Sequence, residues 1–175
     1  MVDMPFFKSM GLKSSATEIS DEIVDQVQLR MEKYGIAVDI RKGLASDIPF
    51  DSGKFDYLLT WNSCYYMSLG SGDFDIHVAE MARVIRPGGW IVCSVPKKDA
   101  FIFKDSKADK RSGYRVICND YFGGMRNGEI MRVFDTRDEL ENTFSNDFSS
   151  FCHADINMNW FGLSYRWHVF VAKRK

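Results

Sequence analysis

Residues 80–96, EMARVIRPGGWIVCSVP, decide the fold class of this chain. Apolar residues before Pro87 recur at helical spacing, and Pro87-Gly88-Gly89 then predicts a helix stop followed by a tight turn. The run WIVCSV at 90–95 follows at once, and its apolar character indicates a strand buried on both faces of a sheet. A helix that leads directly into a buried strand is typical of an α/β layer fold.

The same alternation of helix and strand extends upstream. Ser20 is a good N-cap for a helix that stops at Gly35, because the apolar side chains between them recur at helical spacing. The run FDYLLT at 55–60 indicates another strand buried on both faces. The remaining elements predicted here are strands at 13–19 and 36–41 and a helix at 73–86.

The C-terminal third predicts a different arrangement. Residues 97–134 show neither the helical nor the strand periodicity of apolar residues, and a connection of that length more often has a function than not. A capping box at Thr136–Glu139 begins a helix that runs to about Asn146. Two strands, at 150–158 and 164–173, are joined by NWFGL and therefore form an antiparallel hairpin. We expect an α/β, Rossmann-like three-layer sandwich with a mostly parallel sheet and this hairpin at its C-terminal edge.

Composition and charge narrow the class of protein. With 175 residues, 45% hydrophobic and 27% charged, residues 1–175 are expected to form a single domain, in which 97–134 is an inserted substrate cap or loop. The net charge of −1 gives no reason to expect nucleic acid or an anionic membrane as a partner. No apolar run is long enough to cross a bilayer. Four scattered cysteines without a CxxC pair predict reduced thiols, no metal site and a cytoplasmic location.

Several stretches, taken in order, resemble the class I S-adenosylmethionine-dependent methyltransferases, in particular their type 11 domain group. The stretches are TEIS (17–20), GLASDIPFDSGKFDYLLT (43–60), EMARVIRPGGWIVCSVP (80–96) and the terminal hairpin. The phrase G-x-A-x-x-I-P-F, followed by FD and a strand and then by ARVIRPGG at 82–89, carries most of the resemblance. S-adenosylmethionine is therefore the expected cofactor, and a small molecule is the expected partner.

The resemblance implies which residues bind the cofactor. Glu18, at the end of its strand, corresponds to the carboxylate that accepts hydrogen bonds from the two ribose hydroxyls, and Ile19 to the residue against the adenine face. The loop at 44–46 would meet the adenine edge through its backbone. Leu44 stands where the family usually has Asp, so a side-chain acceptor for the adenine amino group is absent. The cofactor-binding set is Glu18, Ile19, Leu44, Ala45, Ser46, Thr60 and Trp61, of which the last two, with Asn62, approach the methionine moiety.

No catalytic base can be assigned from the sequence. Tyr65 and Tyr66 follow the strand at 55–60 and are the candidates near the transferred methyl group, although a phenol is a poor base at neutral pH. A role in positioning the acceptor or in packing is therefore expected for both. His77 is expected to face solvent, and we expect all three histidines to be structural.

The segment 97–134 is the best candidate for a substrate cap. It carries nine Lys or Arg residues against five acidic ones, which suits an anionic small molecule and equally suits a solvated surface loop. Nucleic acid is the weaker option because the chain as a whole is nearly neutral. The candidate substrate-binding residues are Tyr114, Arg115, Tyr121 and Arg126.

One part of the family pattern is missing from the first residues. The family begins with a central strand and a Gly-rich turn that receives the methionine carboxylate, whereas Gly11 is the only glycine before Gly35 here. A truncated chain, a complete but degenerate chain, and a gap filled by another chain would each explain this. We favour truncation and expect the chain alone to bind S-adenosylmethionine weakly. Micromolar affinity by calorimetry would contradict that expectation.

Three functions remain open at this stage. The leading one is methyl transfer from S-adenosylmethionine to an oxygen or nitrogen of a small molecule, for which an anionic acceptor is one option. A catalytically inactive, methyltransferase-like binding or assembly subunit is the alternative, and a homo-oligomer is compatible with either. A nicotinamide-dependent dehydrogenase also places an acidic residue after its second strand, but the PGG strand entry and the antiparallel hairpin disfavour it.

Overall fold

The computed structural model describes residues 4–67 and 72–175, which divide in sequence after Phe50 into two compact units. The first unit contains two helices and a parallel pair of strands in which Glu18 lies opposite Lys42. Its elements are α1 (Met4–Ser9), β1 (Ser15–Glu18), α2 (Asp21–Lys33) and β2 (Asp39–Lys42).

The first unit confirms the helix boundaries read from the sequence. Ser20 caps α2, since its hydroxyl oxygen accepts a hydrogen bond from the Ile23 amide at 3.3 Å. Gly35, with a φ of 62°, takes the left-handed conformation that ends the helix. A small apolar core then joins the helices to β2, and it consists of Met4, Met31, Ile36 and Val38.

The second unit is built on a mixed four-stranded sheet. The strand order is β3-β4-β9-β8, in which β3 and β4 are parallel and the other two pairs are antiparallel. A separate antiparallel sheet has the order β5-β6-β7. The elements are β3 (Phe55–Trp61), α3 (Phe74–Val84), β4 (Ile85–Pro96), a 3₁₀ turn (Phe101–Phe103), β5 (Lys107–Ala108), β6 (Tyr114–Val116), β7 (Ile130–Arg132), α4 (Arg137–Phe144), β8 (Phe148–Trp160) and β9 (Leu163–Arg174). None of the helices in the described ranges has the length and apolar character needed to cross a bilayer.

The C-terminal hairpin and the helix before it agree with the sequence. The Thr136 hydroxyl accepts a hydrogen bond from the Glu139 amide at 3.1 Å and so begins α4. Strands β8 and β9 are joined by Phe161 and Gly162, whose φ values of 52° and 88° give the left-handed turn that suits a two-residue hairpin. Phe144 on α4 packs edge-on against Phe170 of β9, with ring centroids 4.8 Å apart.

Strand β3 is less buried than its apolar sequence predicts. It lies at the edge of the four-stranded sheet and, within residues 4–67 and 72–175, pairs with β4 alone, so the prediction of burial on both faces was wrong. Tyr57, Leu59 and Trp61 alternate along one face and are 64%, 45% and 46% exposed. An apolar run reports the tendency of a strand to be buried, but the position of the strand in the sheet depends on its neighbours.

The transition between α3 and β4 also differs from the prediction. The helix ends at Val84, and Pro87-Gly88-Gly89 lies inside β4, at a shift of register between Phe55 and Tyr57 of the paired strand. A Cβ on Gly89 would come within 2.8 Å of the Asp56 carbonyl oxygen, so only glycine fits where β4 crosses β3. The motif is therefore a strand bulge rather than a helix stop.

Residues 97–134 contain the 3₁₀ turn and the three short strands of the β5-β6-β7 sheet, joined by irregular connections. One further expectation is corrected by burial. His77 does not face solvent, since it is 1% exposed and its Nδ1 lies 2.7 Å from the Cys64 carbonyl oxygen. Burial lowers the pKa of His77, which keeps the ring neutral in the folded protein.

Acid should destabilise the second unit through His77. Because the pKa of His77 is lower in the folded than in the unfolded state, its contribution to stability is complete above the unfolded pKa of about 6.5 and is lost as the pH falls below it. We expect the free energy of unfolding to fall by up to about 1.4 kcal/mol per pH unit there. Urea unfolding at several pH values should show a shallower fall for His77→Gln, and identical slopes would contradict this assignment.

Candidate active site

Glu18 lies at the carboxyl end of a parallel strand pair, where open α/β sheets bind ligands. Its carbonyl oxygen accepts a hydrogen bond from the Gly43 amide at 2.9 Å, which ties the end of β1 to the segment after β2. Within the described ranges, its carboxylate accepts no hydrogen bond, and partial burial raises its pKa. Both carboxylate oxygens are thus available to a pair of hydroxyl donors.

The loop after β2 is a tight turn of partly buried residues. Leu44 and Asp47 exchange two backbone hydrogen bonds of 3.2 and 3.1 Å, so Ala45 and Ser46 form the turn between them. Ile19, directly after β1, is 59% exposed. The first unit therefore brings the predicted residues Glu18, Ile19, Leu44, Ala45 and Ser46 to one end of its sheet.

In the second unit, the chain changes direction after β3 at Asn62, in a turn that hydrogen bonds stabilise; we call this turn the corner. Thr60 is buried with its hydroxyl 3.2 Å from that of Ser63, and Trp61 is half-exposed. Asn62 has a φ of 56°, a left-handed conformation that Asn tolerates better than most residues. Non-glycine residues held in this region occur often at binding and catalytic sites.

The corner at Asn62 is fixed by three hydrogen bonds. Its amide N–H donates to the Ser94 hydroxyl at 2.9 Å, and that hydroxyl donates to Asn62 Oδ1 at 3.1 Å. Asn62 Nδ2 donates to the Tyr165 hydroxyl at 2.7 Å. The end of β3 is thereby joined to β4 and β9.

A cavity of about 180 Å³ opens beside this corner. We call it the aromatic cavity, since seven of its eleven lining residues are aromatic. The aromatic ones are Tyr65, Tyr66, Phe101, Phe122, Trp160, Tyr165 and Trp167, and the others are Asn62, Ile102, Arg126 and Leu163. The cavity thus combines the end of β3, the turn after β4, the segment before β7 and the terminal hairpin.

Tyr65 and Tyr66 form one wall of the aromatic cavity. Their rings stack with centroids 4.9 Å apart and planes at 21°. Tyr65 is 2% exposed, and burial raises its pKa well above the usual range. Its hydroxyl therefore stays protonated at neutral pH, which agrees with a role in positioning or packing rather than as a base.

Of the four substrate candidates in the β5–β7 segment, Arg126 alone lines the aromatic cavity. The Tyr114 hydroxyl is buried and accepts a hydrogen bond from the Phe74 amide at the start of α3, at 2.9 Å. Arg115 donates to the Ser106 carbonyl oxygen at 2.7 Å and holds β5 to β6. Tyr121 is 65% exposed and contacts Phe122 edge-on.

Most aromatic lining residues were missed by sequence reasoning. Tyr165 and Trp167 lie on one face of β9, stacked at 3.8 Å with planes at 14°. Their alternation in SYRW is a signal that could have been found, because residues two apart on a strand share a face. Phe101 and Trp160 carry no such signal, since neither belongs to a periodic pattern.

The basic residues of 97–134 are largely paired. Lys97 lies 2.9 Å from Asp155, outside the segment, and Arg132 lies 2.8 Å from Glu139, also outside it. Lys98, Arg111 and Arg126 each pair with an acidic residue as well. The positive excess of this segment is thus partly balanced by acidic residues elsewhere in the second unit.

Asp155 is the most strongly engaged of these carboxylates. Lys97, followed by Arg137, lowers its pKa from 3.8 to about 2. Its contribution to stability is therefore complete above the unfolded pKa of 3.8 and is lost as the pH falls toward about 2. At pH 7, Asp155→Asn should lower the free energy of unfolding by about 1 kcal/mol, since the carboxylate is partly exposed.

Asp99→Asn is the matched control for Asp155→Asn. Asp99 makes one ion pair, with Arg166 at 3.0 Å, and both side chains are exposed. Its replacement should change the free energy of unfolding by less than about 0.5 kcal/mol. Urea unfolding of both variants at neutral pH and near pH 3 measures the difference, and equal losses at neutral pH would contradict the assignment.

The fold and sequence were compared with known proteins. A protein of Pyrococcus horikoshii superposes with a TM-score of 0.70 at 15% identity, over 97% of this chain and 75% of that chain. A SAM-dependent methyltransferase of Methanosarcina mazei gives 0.72 at 14% identity, over 97% and 85%. A Burkholderia thailandensis 1,6-didemethyltoxoflavin-N1-methyltransferase gives 0.70 at 15% identity, over 99% and 66%. No curated protein sequence shows a significant match.

A family model that describes a methyltransferase domain matches residues 4–93. This range holds β1 to β3 and most of β4, together with all the cofactor residues expected from the sequence, and it spans more than half of the 175 residues. The chain therefore belongs to the type 11 methyltransferase domain family of class I S-adenosylmethionine-dependent enzymes.

Proposed function

We propose that this chain transfers a methyl group from S-adenosylmethionine to an oxygen or nitrogen atom of a small molecule. The observation that carries the proposal is the Glu18 carboxylate at the carboxyl end of β1, beside the turn at 44–46, which accepts no hydrogen bond from residues 4–67 or 72–175. A carboxylate with both oxygens available can accept the two hydroxyl hydrogens of a ribose. The family's cofactor carries such a ribose, so the residues fit it.

The residues proposed for the nucleoside end of the cofactor all lie in the first unit. Glu18 would hold the ribose, Ile19 would lie against adenine, and the Leu44–Ser46 backbone would meet the adenine edge. Leu44 has no polar side-chain atom, so adenine recognition there falls to backbone groups. That Thr60 and Trp61 approach the methionine moiety stays a prediction from the family resemblance.

The chemistry requires mainly alignment of the acceptor. When bound, S-adenosylmethionine would supply a methyl group activated by its sulfonium, which would pass to a lone pair of the acceptor while the C–S electron pair stayed on sulfur and the acceptor lost its proton. The chain contributes by orienting the acceptor and excluding water, for which the buried walls around Tyr65 and Tyr66 are suited.

We further propose that residues 97–134 are the substrate cap of this enzyme. The segment supplies Phe101 and Ile102 from the 3₁₀ turn and Phe122 and Arg126 from the connection between β6 and β7 to the aromatic cavity. Four lining residues from one segment support a role in enclosing an acceptor, as functional connections of this length often do.

A binding experiment tests the cofactor assignment. Titration of ¹⁵N-labelled protein with S-adenosylhomocysteine, up to millimolar concentration, should shift the amide signals of Glu18, Ile19 and residues 43–46. NAD at the same concentrations should shift them less. The absence of shifts with S-adenosylhomocysteine would overturn the proposal, and stronger shifts with NAD would favour the dehydrogenase.

An activity experiment separates the enzyme from the inactive subunit. Formation of S-adenosylhomocysteine from S-adenosylmethionine should depend on an added hydroxyl- or amino-bearing acceptor. Cofactor binding without transfer to any acceptor tried would instead favour the methyltransferase-like binding subunit. The cytoplasmic location and the homo-oligomer stay predictions, the latter open to analytical ultracentrifugation.

A further inference from the structure

We propose that the aromatic cavity binds the methyl acceptor and that this acceptor is an uncharged, planar compound of one or two rings bearing a hydroxyl or amino group. This inference rests on the proposed methyl transfer and narrows its substrate class. Three properties of the cavity support it, namely the geometry of its walls, its charge and its size.

The walls of the aromatic cavity are flat and come from separate parts of the chain. Tyr165 and Trp167 of β9 stack at 3.8 Å, and Phe101 lies nearly parallel to Tyr165, with planes at 29°. Tyr65 and Tyr66 form a second stacked pair after β3. A flat aromatic wall binds a ligand most strongly when the ligand is itself aromatic, because ring faces and edges attract in stacked or edge-on arrangements. A saturated ring of similar size would be bound only through the burial of its apolar surface, without the attraction between rings.

Among the described residues that line the cavity, Arg126 is the one cation, and it is already paired. Arg126 Nη2 lies 2.7 Å from Asp120 Oδ1, and the Asp120 side chain is 2% exposed. The other Asp120 oxygen has no hydrogen-bond partner among the described residues. If Arg126 turned toward an anionic ligand, this buried carboxylate would lose its counter-ion, which is costly. The pair thus makes the cavity neutral, and a neutral ligand suits it better than an anion.

The polar groups of the cavity provide directed hydrogen bonds without added charge. The Tyr165 hydroxyl accepts a hydrogen bond from Asn62 Nδ2 at 2.7 Å, which leaves its own hydrogen available to donate. An acceptor hydroxyl can take this hydrogen on one lone pair and keep the other for methyl transfer, whereas an acceptor amino group can donate to the second lone pair of the Tyr165 oxygen and so keep its own lone pair free. The hydrogen-bonded Asn62 and Ser94 hold that donor in place.

The size of the cavity limits the ligand to small ring systems. Its volume is about 180 Å³. A buried apolar cavity of about 150 Å³ in another protein accommodates benzene, so one ring fits and two fused rings fit where the cavity opens. The cavity also lies after the carboxyl ends of the parallel strands β3 and β4, the usual ligand position in open α/β sheets.

Three bicyclic probes test the proposal on the whole chain. They are 2-naphthol, which is planar and neutral, 2-naphthoate, which is planar and anionic, and decahydro-2-naphthol, which is neutral but not planar. Each is titrated near pH 7 against ¹⁵N-labelled protein while the indole N–H signals of Trp160 and Trp167 are followed. We expect 2-naphthol to shift both signals with an affinity at least about tenfold above those of the other two.

Each other outcome overturns part of the proposal. Equal or tighter binding of 2-naphthoate would overturn the neutral ligand and favour the anionic acceptor. Equal binding of decahydro-2-naphthol would overturn the requirement for a planar ring. Binding of S-adenosylhomocysteine without binding of any planar probe would overturn the acceptor site and leave methyl transfer standing. Binding of 2-naphthol without S-adenosylhomocysteine would instead overturn methyl transfer, and with it the role of this ligand as acceptor.

Two hairpin variants localise the binding. Trp160→Ala removes a half-exposed cavity wall and should weaken 2-naphthol binding by about tenfold. Phe161→Asn is the matched control, because Phe161 is 94% exposed, does not line the cavity, and has a left-handed conformation that Asn tolerates. Equal affinities of the two variants for 2-naphthol would show that it does not bind in the aromatic cavity. Unchanged thermal unfolding of Trp160→Ala shows that the loss is local.

Discussion

Replacing Glu18 with Gln is expected to weaken S-adenosylhomocysteine binding by about 100-fold. Hydrogen bonds to a charged group contribute about 1.5–3 kcal/mol each, and two ribose hydroxyls converge on this carboxylate in the proposed complex. Glutamine keeps one acceptor oxygen but replaces the other with a donor that opposes a hydroxyl hydrogen. The loss of charge and of one acceptor together removes about 2–3 kcal/mol of binding free energy.

The measurement compares dissociation constants from NMR titration, which covers weak as well as tight binding. Asp21→Asn is the matched control, because Asp21 is also acidic, lies three residues further along and pairs with Lys42 at 2.7 Å. Its side chain is 76% exposed, so its replacement should leave the affinity within about threefold of the parent. Equal losses in the two variants would show a general effect of charge and would contradict a specific ribose contact.

The order of elements could be predicted from the sequence because local signals determine it. Ser20 and Gly35 bound α2, Thr136 begins α4, and Phe161-Gly162 turns the hairpin, each through contacts with residues close in the chain. Glu18 was likewise placed correctly at the end of a strand. Such signals need no knowledge of which strands become neighbours.

The mistaken expectations all concern long-range neighbours. The apolar run of β3 predicts burial, but its exposure follows from pairing with β4 alone. His77 is buried because the carbonyl of Cys64 lies within hydrogen-bonding distance of its ring, a contact that helical periodicity does not report. Sequence patterns give the preference of a segment for burial, whereas topology decides which face is covered.

The aromatic cavity could not be predicted for the same reason, because its residues become neighbours only in the fold. Asn62, Phe101, Phe122 and Tyr165 come from four segments far apart in sequence. Their convergence depends on β9 lying beside β4 and on β7 forming backbone hydrogen bonds with residues 65–67, which follow β3. Basic residues in 97–134 suggested an anionic ligand, but composition does not show that Arg126 is paired with Asp120. Pairing changes the expected ligand from anionic to neutral.

The buried pair of Asp120 and Arg126 also leads to the largest expected effect on stability. Arg126→Met removes the counter-ion from a carboxylate whose side chain is 2% exposed and whose second oxygen has no partner within the described residues. Breaking a buried ion pair by removing one member costs about 3–5 kcal/mol, because the remaining charge is not compensated. The contact of the Arg126 guanidinium with the Phe122 ring, at 5.2 Å, is lost as well. Urea unfolding should show a fall in the free energy of unfolding of this size.

A second variant shows whether the unpaired charge causes that loss. Asp120→Asn combined with Arg126→Met removes both charges, so it should recover more than half of the stability lost in the single variant. Arg115→Met is the comparison for loss of a neutral contact, since Arg115 donates to Ser106 and lies in no ion pair among the described residues. It should cost only about 1 kcal/mol. If Arg126→Met cost no more than Arg115→Met, or if the double variant were as unstable as Arg126→Met, the pair would not be the buried counter-ion contact described here. The neutral cavity would then lose its main structural support.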